Sequence, residues 1–191
     1  MVADPSCIGL PVYDRRALSA KTMLPVYFCV DVVMERIALR NRWTNEQWRP
    51  SAVSSRGEGR AAPGTAECTL DTPERTLWRF PGMAIELHPS EAEGYFLNLT
   101  SETPVVFVMW RSAEDDAPPA ARPVLVTLSY NEAARFMDGG ERVDPVAIEP
   151  PIRAWLADFV SAHYKPEPKK KVKRNDPFAE DDRPARPRRQ G

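Results

Sequence analysis

Residues 25–34 read Pro-Val-Tyr-Phe-Cys-Val-Asp-Val-Val-Met. Val26, Phe28, Val30, Val32 and Met34 fall on one face; Tyr27, Cys29, Asp31 and Val33 fall on the other. A period of two is the repeat of a β-strand with one face against a core. The chain must therefore build a sheet and cover it. Further strands are predicted near 47–54, at 77–80, at Met83–His88 after a Pro81-Gly82 turn, and at Val124–Leu128. Residues 94–99 and 104–110 are predicted to pair as a hairpin. Val105–Trp110 is apolar on both faces and should lie centrally.

The repeat changes towards the other end of the chain. Ser129-Tyr-Asn-Glu132 has the spacing of a capping box, and Gly139-Gly140 is a helix stop. Tyr130, Ala133, Ala134 and Met137 should share the packed face of that helix. Pro150-Pro151 opens a second helix, with Ile152, Trp155, Leu156, Phe159, Val160 and His163 at helical spacing. Strands followed by helices predict an α+β fold: a mostly antiparallel sheet of about five to seven strands with two C-terminal helices packed on it. Residues 23–164 would form one domain, with mobile loops at 56–73 and 112–122. Residues 1–22 would be a loosely ordered leader.

Charge separates the last stretch from the rest. Residues 165–191 hold 10 Lys and Arg against 5 Asp and Glu, out of totals of 26 and 27. Five of the 20 prolines also fall there. With no apolar repeat, this segment is predicted to be a disordered basic tail. Three widely spaced cysteines, Cys7, Cys29 and Cys68, offer neither a disulfide framework nor a metal-binding pair. With no secretory pattern or apolar span, the expected location is the cytoplasm.

Candidate chemistry is sparse. Glu86 and His88 share a strand face, with Glu91 and Glu93 just beyond, so Glu86, His88 and Glu93 form a candidate polar site. A solvated strand end explains the same cluster. There is no phosphate-cradling glycine loop and no nucleophile–base motif, so no catalytic residue, cofactor or metal is expected. Trp110 and Trp155 fit apolar faces and should be core. Trp43 and Trp48 fit neither period and are candidates for a partner-binding surface. Lys169, Lys170, Lys171, Lys173 and Arg174 form a basic run suited to weak, salt-dependent docking of an acidic partner. The tail has a single aromatic, Phe178, which counts against base stacking and nucleic-acid binding.

Several strings occur together in order: Glu35-Arg36, Trp43…Trp48-Arg-Pro50, Glu86-Leu-His88, Glu91-Ala-Glu93-Gly-Tyr95…Asn98-Leu99, Pro104-Val-Val-Phe-Val108, Val126-Thr-Leu-Ser129, Trp155…Phe159-Val160 and His163-Tyr164. The set resembles a bacterial family of unknown function, domain-of-unknown-function family 3305. Members tend to be encoded beside molybdenum- or tungsten-dependent formate dehydrogenases. The resemblance implies a non-enzymatic accessory protein that binds a component of such an enzyme during maturation. Two alternatives stand beside it: a stoichiometric subunit of the complex, and a small-ligand or cofactor-handling enzyme using Glu86 and His88.

Overall fold

A computed structural model describes residues 26–113 and 117–166. The predicted leader and the basic run Lys169–Arg174 lie outside the described residues. In chain order the elements are β1 (Val26–Ala38), β2 (Glu46–Glu58), β3 (Glu67–Asp71), β4 (Arg75–Leu87), α1 (Ala92–Leu99), β5 (Val105–Ser112), β6 (Ala121–Thr127), α2 (Tyr130–Asp138), β7 (Arg142–Ala147) and α3 (Pro150–His163). The fold is α+β. The seven strands form one sheet in the order β2-β1-β4-β6-β5-β7, with β3 also pairing β4. Every pairing is antiparallel except β4 with β6, which are parallel at Ile85 and Val126.

β1 is the spine. Its even-numbered residues from Phe28 to Met34 are buried. They join Val53, Ile85, Leu87, Val106, Val108, Trp110 and Val126 in one core. α3 closes that core with Ile152, Trp155, Leu156, Phe159 and Val160, the stripe its spacing predicts. The sheet curls, so its two outer strands approach: β2 and β7 line one cavity, and the Ser55 backbone N–H donates to Glu149 at 2.8 Å.

The opposite face of β1 carries two acids that hold its neighbours. Glu35 is 3% exposed and accepts from Arg49 on β2 at 3.0 Å and from Arg75 on β4. Burial pushes the Glu35 carboxyl up, but hydrogen bonds and charge from Arg49 and Arg75 outweigh it and hold it below the usual range. Asp31 accepts from the Gly82 N–H at 3.0 Å and faces Arg56 at 3.5 Å and Arg79 at 3.8 Å.

Four expectations are corrected. Pro81-Gly82 does not turn the chain. β4 runs through it as a bulge, with Gly82 at φ 78° and its N–H taken by Asp31. The segment 56–73 is not simply loop: it holds the end of β2 and all of β3. Residues 94–99 belong to a third helix, α1, and not to a hairpin strand. Asn98 explains why. Its side chain bonds Val105 through both O and N–H and also reaches the Leu128 carbonyl, so a buried amide stands where a strand would have stood. On α2, Ala133 is buried but Tyr130 and Met137 are 56% and 52% exposed, so the packed face is narrower than predicted.

The predicted cap on α2 forms in part. Glu132 N–H donates to the Ser129 hydroxyl at 3.1 Å. The Glu132 carboxylate, however, takes a bond from the Thr127 hydroxyl at 2.6 Å, and Thr127 in turn accepts the Ser129 N–H. Ser129 donates to Glu91, which binds α1 to α2. A Cβ at Gly94 would overlap that Ser129 hydroxyl.

Asn98→Ala should lower unfolding free energy by about 2–4 kcal/mol, because it strands buried backbone groups of Val105 and Leu128. Urea denaturation measures this. For Glu35 the lowered folded-state pKa makes stability depend on pH. Its contribution is complete above the ordinary value of 4.5 and is lost as pH falls through the lowered value. The stability gap between wild type and Glu35→Gln should therefore narrow below pH 4.5; a constant gap contradicts the clamp.

Candidate functional site

The connection between β1 and β2 is built around Asn41. Its side-chain oxygen accepts the N–H groups of Trp43 at 2.9 Å and Thr44 at 2.7 Å. This Asx-type turn holds the chain where Trp43 projects, 92% exposed. Trp48 lies three residues into β2 and turns the other way.

Register places Trp48 in a cleft. Arg36 stands opposite Trp48 on β2 and opposite Thr76 on β4, while Met34 stands opposite Trp78. Directly opposed residues share a face, and residues two apart share it too. Trp48, Arg36, Thr76 and Trp78 thus face one way, joined by Cys68 and Asp71 of β3, which oppose Trp78 and Thr76. The cleft has a volume of about 630 Å³, and Pro118 and Pro119 line its far side. Arg36 donates to the Thr76 hydroxyl at 2.8 and 3.1 Å and to the Thr72 carbonyl at 3.2 Å. The Trp48 indole N–H donates to Glu46 at 2.9 Å. The Thr76 hydroxyl donates to Asp71 at 3.1 Å. Two half-buried indoles therefore flank a fixed cation, with Glu46 and Asp71 beside it.

The sheet's other end carries Glu86 and His88, which do meet. His88 Nε2 lies 3.1 Å from Glu86 Oε1, and the Tyr27 hydroxyl donates to the same oxygen at 3.2 Å. Tyr95 sets their backbone: its hydroxyl accepts the His88 N–H at 3.1 Å and donates to the Glu86 carbonyl at 3.4 Å. Burial pushes the Tyr95 hydroxyl up to about 12. A cavity of about 430 Å³ adjoins Glu86, walled by Tyr27, Arg60, Met83 and Val124. Glu86 and His88 are 41% and 48% exposed. Glu93 is not brought to them; it lies exposed on α1. Its neighbour Glu91 instead accepts from Arg135 at 2.8 Å.

Among the described residues no group of three or more His, Cys, Asp or Glu can hold a metal ion, and no helix is long and apolar enough to cross a membrane. A family model described as protein of unknown function, DUF3305, matches residues 29–173. The chain belongs to that family. No curated protein and no solved structure matches it. The DUF3305 span takes in the whole Trp48–Trp78 cleft, Trp43 and the Glu86–His88 pair, but leaves Tyr27 outside.

Trp78, Arg36 and Thr76 are among the cleft residues that sequence reading did not single out as a site. Trp78 can be found once β4 is read as a single bulged strand, because its register to β1 then follows. Thr76→Val removes both acceptor contacts to the Arg36 guanidinium and should cost about 1–3 kcal/mol, while Thr76→Ser should restore most of it. Thermal denaturation of the two variants separates the outcomes.

Proposed function

We propose that this is a non-enzymatic accessory protein that docks a component of a molybdenum- or tungsten-dependent formate dehydrogenase during its maturation, through the Trp43–Trp48 end of the sheet. One observation carries the docking surface. Trp43 is 92% exposed on a turn held by two Asn41 hydrogen bonds, a few residues from the half-buried Trp48. A large exposed indole on a backbone-fixed turn gains much by burial and has only two side-chain torsions to order, which is why tryptophan is enriched at binding hot spots. The choice of client rests on the family resemblance. The basic run from Lys169 to Arg174 suits electrostatic steering towards an acidic client. A permanent subunit would use the same surface.

A second reading makes the protein a small-ligand enzyme. Its support is the Tyr27–Glu86–His88 contact beside the 430 Å³ cavity. Against it, both Glu86 and His88 are nearly half exposed, as a solvated strand end would be.

Affinity capture with the tagged full chain under formate-dehydrogenase-inducing conditions tests the first reading. The wild type should recover a formate dehydrogenase component, and Trp43→Ala should reduce recovery at least about tenfold with an unchanged Tm, a typical hot-spot loss. Glu86→Gln combined with His88→Ala should leave capture unchanged. Recovery of no molybdoenzyme component, or equal recovery with Trp43→Ala, overturns the proposal. Loss of function only in the Glu86/His88 variant favours the second reading.

A further inference from the structure

The cleft between Trp48 and Trp78 has a shape and chemistry that the docking of a client by Trp43 does not use. It is lined by two indoles, by a guanidinium held by Thr76 and Thr72, and by the carboxylates of Glu46, which lies 3.8 Å from Arg36, and Asp71. Two prolines of the chain, Pro118 and Pro119, already stand at its far side. Grooves walled by aromatic rings and edged by acids suit extended proline-rich segments. The pyrrolidine ring packs flat on an indole, the polyproline II helix is already formed, and a basic residue at the end of the segment meets the acid.

The chain itself contains such a segment. Residues 183–189 read Arg-Pro-Ala-Arg-Pro-Arg-Arg, which sets Pro184 and Pro187 at P-x-x-P spacing followed by Arg188 and Arg189. Were such a segment to adopt a polyproline II helix, with three residues per turn, prolines at that spacing would fall on one side. The segment lies outside the described residues, but its reach can be bounded. The last described residue is Pro166, just beyond α3, where Tyr164 stacks on Phe96 at 4.4 Å. β1, at whose far end the cleft lies, is 13 residues long, or about 43 Å. Sixteen residues lie between Pro166 and Arg183, a stretch that spans up to roughly 55 Å when extended. Charge agrees as well: residues 165–191 are net positive, and the preceding 164 residues are net negative.

We propose that the Trp48–Trp78 cleft binds the chain's own Pro184-Ala-Arg-Pro187-Arg-Arg189 segment in the polyproline II conformation, the prolines packing on the two indoles and the arginines meeting Glu46 and Asp71. The inference deepens the docking reading, with which it shares Trp48. Its test needs only the purified chain, so it succeeds or fails separately from client capture.

Indole N–H resonances of the ¹⁵N-tryptophan-labelled full chain report on each ring. Substituting Pro184→Ala and Pro187→Ala together should move the Trp48 and Trp78 resonances and leave Trp110 and Trp155 in place. Both positions lie outside the described residues, and the substitutions leave every described core contact in place. A peptide of residues 180–191 added to that variant should restore the original positions saturably, and a scrambled peptide of equal charge should not. Wild-type positions should be independent of tenfold dilution. Unmoved Trp48 and Trp78 resonances overturn the proposal. Equal restoration by the scrambled peptide overturns it in favour of unspecific charge attraction. A dilution-dependent shift overturns the same-chain assignment and points to a second copy.

Discussion

Two carboxylates buried on the outward face of β1 set the geometry of everything else. Glu35 holds Arg49 of β2 and Arg75 of β4; Asp31 faces Arg56 and Arg79 on the same two strands and takes the N–H of the β4 bulge. Each acid therefore ties the central strand to both neighbours. Side chains alternate along a strand, so a one-residue slip of β2 would withdraw Arg49 from Glu35 and turn Trp48 out of its cleft in the same step. Buried ion pairs add little net stability compared with well-packed apolar groups, but breaking one leaves a costly unpaired charge. Their effect here is on register, and register is what brings Trp48 and Trp78 to one face.

The fold thus has two chemically different ends. At the β1–β2 connection lie the exposed Trp43, the Trp48–Trp78 cleft and a guanidinium whose hydrogen bonds are taken by Thr76 and Thr72. At the end where β1 begins and β4 finishes lie Glu86, His88 and Tyr27, fixed from beneath by the buried Tyr95. α3 covers the core nearer this second end, through the Phe28–Trp155 and Tyr95–Phe159 ring contacts. The first end combines large apolar rings with restrained polar groups, the composition expected of a recognition surface. The second is a polar strand end beside a modest cavity.

Periodic segments were legible in the sequence because burial imposes their period directly. Phe28 to Met34 of β1, Val106 to Trp110 of β5 and Ile152 to Val160 of α3 bury the residues their spacing selects, although Val26 is exposed and His163 is not buried, and Trp110 and Trp155 are core as read. Legibility failed where one long-range contact overrode local preference. Pro81-Gly82 looks like a turn until Asp31, 51 residues away in the chain, takes up the Gly82 N–H. Gly94–Leu99 looks like a strand until Asn98 is seen to satisfy β5 and the residue before α2's cap. Trp43 and Trp48 stood out because they fit neither period. Trp43 is exposed and Trp48 half-buried at the same end, but the misfit could not supply Trp78, whose place depends on the bulge. Glu86 and His88 were readable as neighbours two residues apart, whereas Glu93 was lost to them once α1 formed.

We propose that recognition occurs at the Trp43–Trp48 end. Hydrogen–deuterium exchange of the full chain, alone and bound to whatever component it co-purifies with, tests this most directly. Protection on binding should concentrate in residues 39–48 and 67–78. Protection confined to residues 84–88 and 123–125, with 39–48 unchanged, would contradict the claim and move the site to the Glu86–His88 end.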